Sequence, residues 1–125
     1  CQFFEFLRSD DMLEFIKSVT GIDMRKLRHA FSSRYLSNFF LSPHPDREQG
    51  KIGFVYSLSK DWRPEWGGNL HFMDEDYRTI TRTVVPVFNR LTLFDIPSPS
   101  GVPHYVSHVA PGVKAKRLSV AGWFG

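Results

Sequence analysis

A chain of 125 residues is long enough for one hydrophobic core and too short for two, so a single domain over residues 1–125 is expected. With 42% hydrophobic residues, twelve of them Phe, and 23% charged, the composition excludes a disordered chain. The net charge of +3 comes from Lys and Arg scattered along the sequence, which argues against a nucleic-acid surface, and the single cysteine, Cys1, excludes an internal disulfide framework and a multi-cysteine zinc site.

A start on Cys1 instead of Met reads as a trimmed or partial sequence, with some N-terminal residues expected to be missing. No apolar stretch approaches the ~20 residues that a membrane helix needs, and the opening residues lack the pattern of a signal peptide. The expectation is a soluble cytoplasmic protein.

In chain order, "SDDMLEFIKSVTG" is the best helix candidate. Ser9 can cap it, Asp10 and Asp11 complement the positive end of its dipole, Met12, Leu13, Phe15 and Ile16 supply an apolar face, and Gly21 ends it. The helical period then disappears. Short β-branched or aromatic runs alternate with Gly, Pro and Asp, predicting strands over 27–35, 38–41, 51–59, 69–72, 79–85, 88–94, 104–109 and 116–124. Eight short strands after a helix, without αβ alternation, point to a mainly β fold: a double-stranded β-helix of the jelly-roll or cupin kind. The proline-containing loops "KDWRPEWGG" and "IPSPSGVP" are surface connections of the kind that carry specificity.

The stretch "LSPHPDREQGK" places His44 and Asp46 two positions apart. Such a pair arises about 0.3 times by chance at this composition, so the motif is weak alone. In an extended segment, residues i and i+2 share a face, which lets the imidazole and the carboxylate reach one point. A second histidine on a distant strand would complete the two-His, one-carboxylate set that holds non-haem Fe(II) with open positions, and "VPHYVSHVAPG" offers His104 and His108 on the same face. In the last strand, Arg117, Ser119 and Trp123 fall on one face. A core-facing guanidinium calls for an anion, and its planar fork suits a carboxylate. A small dicarboxylate held at the metal by one end and at Arg117 by the other would satisfy both halves.

The ordered pieces "YLSNFFLSPHPD", "LSKDW", "WGGNL", "FNRLTLF", "HYVSHV" and "KRLSVAGWFG", from Tyr35 to Phe124, together resemble the Fe(II)- and 2-oxoglutarate-dependent oxygenases of the prolyl hydroxylase branch. The resemblance implies that His44, Asp46 and His104 are the iron ligands, His104 leading the family's His-x-Val pattern, with His108 the runner-up. It implies that Arg117, helped by Ser119, binds the distal carboxylate of 2-oxoglutarate in a pocket lined by Leu70 and Trp123, with Tyr35 contacting cosubstrate or substrate. The implied cofactors are Fe(II), 2-oxoglutarate and O2, with ascorbate as an accessory reductant. The implied reaction is hydroxylation of a C–H bond, foremost in a prolyl residue of a protein or peptide, coupled to oxidative decarboxylation of 2-oxoglutarate to succinate. Alternatives are a small-molecule or free amino acid hydroxylase and a non-catalytic jelly-roll binding module. The related nucleic-acid demethylases usually carry a second arginine six residues after the first, where this chain has Trp123.

The chain departs from that pattern in two places. Ser57 precedes the Leu of "LSKDW" where many prolyl hydroxylases have Tyr, and Tyr56 beside it faces the opposite way. The spacing of thirteen from His104 to Arg117 predicts a bulging loop over "APGVKAK". His29, His71 and His108 read as partly exposed polar residues. Trp62, Trp66, Phe88 and Phe94 read as structural, Gly67 and Gly68 as a tight entry to a strand, and Asn89 and Arg90 are assigned no role.

Overall fold

The computed structural model describes residues 1–125. Two helices open the chain, α1 (Gln2–Leu7) and α2 (Asp10–Thr20). Ser9 caps α2 by accepting a hydrogen bond from the Met12 N–H at 3.2 Å, and Gly21, in the left-handed conformation at φ 73°, closes it. Sequence periodicity did not reveal α1: its six residues carry no side-chain cap and make too short a window for a helical period.

Eight strands follow: β1 (Leu27–Tyr35), β2 (Leu41–His44), β3 (Ile52–Ser57), β4 (Leu70–Met73), β5 (Ile80–Val84), β6 (Arg90–Asp95), β7 (His104–Val106) and β8 (Arg117–Phe124). They pair antiparallel throughout, in two four-stranded sheets ordered β1-β8-β3-β6 and β2-β7-β4-β5, which is the double-stranded β-helix expected from the sequence. Two expected strands start late, for the same reason. Asn38 at φ 68° and Asn89 at φ 63° occupy the left-handed region, which Asn tolerates and a strand does not, so turns replace the first residues expected of β2 and β6. β7 ends at Val106, and the loop expected before Arg117 carries Gly112 at φ 82°.

Strand β8 shows how the alternation of a strand divides labour. Val120 and Phe124 point toward the helices and join Leu7, Met12, Ile16, Ile52 and Phe54 in the main core, where Phe124 and Ile16 are fully buried. Arg117, Ser119, Ala121 and Trp123 point the other way, toward the second sheet, and line a cleft there. A smaller core of Leu70, Phe72 and Val106 belongs to the second sheet, with Tyr35, Val55 and Phe94 packed against it. Phe88, read as structural, is about half exposed, with the Lys60 ammonium 5.5 Å from its ring centroid. No helix is long and apolar enough to cross a membrane.

Candidate metal centre

His44 is the last residue of β2, and His104 the first of β7. The two are cross-strand partners, which brings their rings to 4.3 Å between centroids. Asp46 lies beyond the strand end. At φ 54° it turns its carboxylate back toward both rings, so convergence comes from a turn and not from the extended i, i+2 geometry that the sequence suggested. The structure answers one ambiguity: His104 joins His44 and Asp46, whereas His108 stacks on Phe40 at 4.1 Å outside the cluster.

The donor atoms of His44, Asp46 and His104 all lie within 4.8 Å of one another. Each ring is oriented from behind. The Nδ1–H of His44 donates to the Ser42 carbonyl at 2.8 Å, and that of His104 to the Val102 carbonyl at 2.7 Å, so Nε2 of both rings faces the carboxylate. The two contacts are 3.1 Å each, His44 to Oδ1 and His104 to Oδ2. Two imidazole nitrogens and one carboxylate, their far sides already tied to carbonyls, are the donor chemistry of a divalent transition metal, and Fe(II) fits it.

The electrostatics agree. Burial works to raise the Asp46 pKa, but hydrogen bonds from His104, His44 and Trp123 outweigh it and hold the carboxyl well below its usual range. The hydrogen bond to Asp46 raises the His44 pKa against the opposing effect of burial.

Arg117 begins β8 in the same cleft and is 3% exposed. Its Nε donates to the Gly68 carbonyl at 2.6 Å, an Nη reaches the Ser119 hydroxyl at 3.4 Å, and its guanidinium carbon sits 5.2 Å from the Tyr35 ring centroid. No carboxylate pairs with it. Burial lowers its pKa to about 10, partly offset by Tyr35, and burial in turn raises the Tyr35 pKa against the pull of Arg117. A buried guanidinium without an anion is costly, and an anionic ligand in this cleft would offset that cost.

The remaining expected residues occupy defined places. Tyr35 is the cross-strand partner of Arg117, Ser119 is buried, and Leu70 and Trp123 line the cleft. Trp123 stands six residues along β8 from Arg117, roughly 20 Å of strand, and its indole N–H donates to Asp46 Oδ2 at 3.1 Å. Ser57 is buried and in register with Ser119, on the cleft side of β3, while Tyr56 faces the helices, stacking on Phe3 at 5.4 Å and donating its hydroxyl to Asn89 Oδ1.

Sequence reasoning missed Phe31, Ser33, Val55 and Phe94 in the cleft wall. The first two share the parity of Tyr35 in β1, a signal that was present. Phe94 packs against the His104 ring at 5.2 Å, a contact with no sequence signal.

The sequence model of the 2OG-Fe(II) oxygenase superfamily matches residues 30–125. The chain belongs to this family. No curated protein matches it in sequence. Among solved structures, it is similar to a prolyl-4-hydroxylase from Pseudomonas putida, with 27% identity and a TM-score of 0.71 over 95% of this chain and 62% of that one. An oxidoreductase of the 2OG-Fe(II) oxygenase family from Burkholderia pseudomallei shares the fold at a TM-score of 0.76 and 17% identity, over 97% of this chain and 54% of that one. So does a prolyl hydroxylase from Trichoplax adhaerens, in complex with a peptide fragment of the hypoxia inducible factor oxygen degradation domain, at 0.67 and 20%, over 92% of this chain and 51% of that one. The chain thus spans about half to three fifths of the length of these structures.

Proposed function

We propose that the chain is the catalytic domain of an Fe(II)- and 2-oxoglutarate-dependent dioxygenase that hydroxylates a C–H bond, foremost in a prolyl residue of a protein or peptide. One observation carries the reading: the His44, Asp46 and His104 donors converge in the same cleft that buries an anion-less Arg117. His44, Asp46 and His104 would hold the iron. Arg117, with Ser119 beside it, would hold the distal carboxylate of 2-oxoglutarate, Tyr35 and Leu70 would flank its carbon chain, and Trp123 would close the cleft at the metal end. When bound, the iron and cosubstrate supply oxygen activation coupled to decarboxylation of 2-oxoglutarate to succinate.

The protein's share is positional. The Ser42 and Val102 carbonyls keep both imidazoles in the tautomer that presents Nε2. Val55, Leu70, Phe94 and Val106 give the cleft apolar walls, which would limit water around the reacting centre. The prolyl preference is supported by likeness to the Pseudomonas putida enzyme and, for a peptide substrate, by the complex of the Trichoplax adhaerens enzyme.

The test is anaerobic addition of Fe(II) and then 2-oxoglutarate, watching for the weak visible charge-transfer band of the chelate, followed by oxygen and quantification of succinate. A band lost in His44→Ala and Arg117→Leu, with succinate from the unmutated chain, supports the reading. A folded protein that gives no band and no succinate points instead to a non-catalytic jelly-roll binding module.

A further inference from the structure

Asp46 has three polar neighbours, each at 3.1 Å: Nε2 of His44, Nε2 of His104 and the indole Nε1 of Trp123. They differ in what a metal would do to them. An imidazole nitrogen that gives its lone pair to a cation cannot also donate a proton to a carboxylate, so metal binding ends both histidine contacts as hydrogen bonds. The indole N–H is a donor only and never a ligand, so its bond to Oδ2 can persist.

Trp123 is also held where it must be to make that bond. It pairs across the sheet with His29 of β1, whose ring stacks on the indole at 6.0 Å and 15°, and the Phe31 ring lies 5.8 Å away. Gly50 packs closely beside it: a Cβ on Gly50 would approach that of Trp123 to 2.9 Å. Asp46, by contrast, sits after a strand end at φ 54°, where its backbone is outside the strand ladder.

We propose that Trp123 is a positioning residue for the metal: its indole N–H holds Oδ2, fixes the rotamer of Asp46 and reserves Oδ1 as the single coordinating oxygen. This rests on the metal reading of the His44, Asp46 and His104 cluster.

The test separates the N–H from the ring. Trp123→Phe keeps an aromatic face for His29 and Phe31 but has no donor. Trp123→Gln removes the aromatic face yet places an amide nitrogen the same number of bonds from Cα as the indole nitrogen. Each variant is titrated with Co(II) by calorimetry under anaerobic conditions, and its metal-free melting temperature is recorded. The expected result is a crossing of ranks, with Co(II) affinity about 10- to 100-fold weaker in Trp123→Phe and near the unmutated value in Trp123→Gln, while Trp123→Gln melts lower. Affinity that instead follows melting temperature, or is unchanged in Trp123→Phe, overturns the proposal in favour of simple packing.

A metal-independent readout accompanies this. Of the three indole N–H resonances expected from three Trp, the one absent in Trp123→Phe should move in Asp46→Ala, and its indifference to that change also overturns the proposal. If the unmutated chain binds no Co(II), the metal reading fails first and this inference with it. Binding by the unmutated chain with no rank crossing sinks this inference alone.

Discussion

Arg117 and Gly68 are fitted to each other: the guanidinium Nε donates to the Gly68 carbonyl at 2.6 Å, and a Cβ on residue 68 would stand 2.8 Å from Arg117 Cδ. Gly68 also has φ of +64°, a conformation that side chains disfavour. Gly68→Ala therefore strains the backbone and pushes the buried arginine aside. Because residue 68 is outside the His44, Asp46 and His104 cluster, the variant should weaken 2-oxoglutarate binding by about tenfold or more while Co(II) affinity stays within about twofold. Separate calorimetric titrations of metal and cosubstrate check this, and equal losses in both would show a general collapse of the cleft.

Arg117→Leu isolates the anion subsite from the fold. Removing a buried charge that has no acidic partner relieves a desolvation cost, so the metal-free variant should melt at or slightly above the temperature of the unmutated chain. Its 2-oxoglutarate requirement should rise by roughly 100-fold, in line with the ~2–5 kcal/mol carried by buried charge pairs. Iron binding should be nearly intact. Unchanged cosubstrate dependence in succinate formation would rule out this role for Arg117.

The parts legible in the sequence were those set by turn punctuation and by helix ends. β1 occupies 27–35 as expected because its run lies between the strand breakers Gly21 and Asn38, and α2 starts and stops at Ser9 and Gly21 because capping is local chemistry. The parts that were not legible depend on contacts distant in sequence or on single dihedral angles. Asp46 reaches the cluster through a left-handed residue, which Asp permits but does not announce. His104 and His108 share parity, so strand geometry left both open, and the β2–β7 register is what pairs His104 with His44. The glycine pair at 67 and 68 read as a strand entry, and the space it leaves for Arg117 emerged only with the fold.

The metal-free protein should have a stability optimum in mildly acidic solution. His44 has a raised folded-state pKa, chiefly through its hydrogen bond to Asp46, so its contribution is full below the unfolded value of 6.5 and is lost as pH rises through the folded value. Asp46 has a lowered folded-state pKa, burial being outweighed by its hydrogen bonds, so its contribution is present above the unfolded value of 3.8 and is lost as pH falls toward the folded value. Urea midpoints should therefore decline from about pH 5 to about pH 8, and the decline should flatten in Asp46→Asn, which removes the carboxylate. Co(II) affinity should run oppositely, rising with pH because the metal must displace the proton from His44. A urea midpoint that does not decline between these pH values would show that the pair contributes nothing.

Phe124 tests whether the two faces of β8 are energetically separable. Its ring is fully buried, 5.2 Å from the Phe54 ring, in the core shared with Met12 and Ile16 of α2. Phe124→Ala removes that apolar area and leaves a cavity that rigid neighbours on a strand ladder fill poorly, for a loss of about 3–5 kcal/mol. The adjacent Trp123 and the more distant Arg117 point the other way, into the cleft, and the β1–β8–β3 hydrogen bonds do not involve the Phe124 side chain. The urea midpoint should thus fall at an unchanged slope, while Co(II) and 2-oxoglutarate affinities, measured well below the lowered melting temperature, stay within about twofold. Loss of both affinities in a protein that is still folded would mean that the helix-side core sets the geometry of the cleft, and that the strand transmits packing from one face to the other.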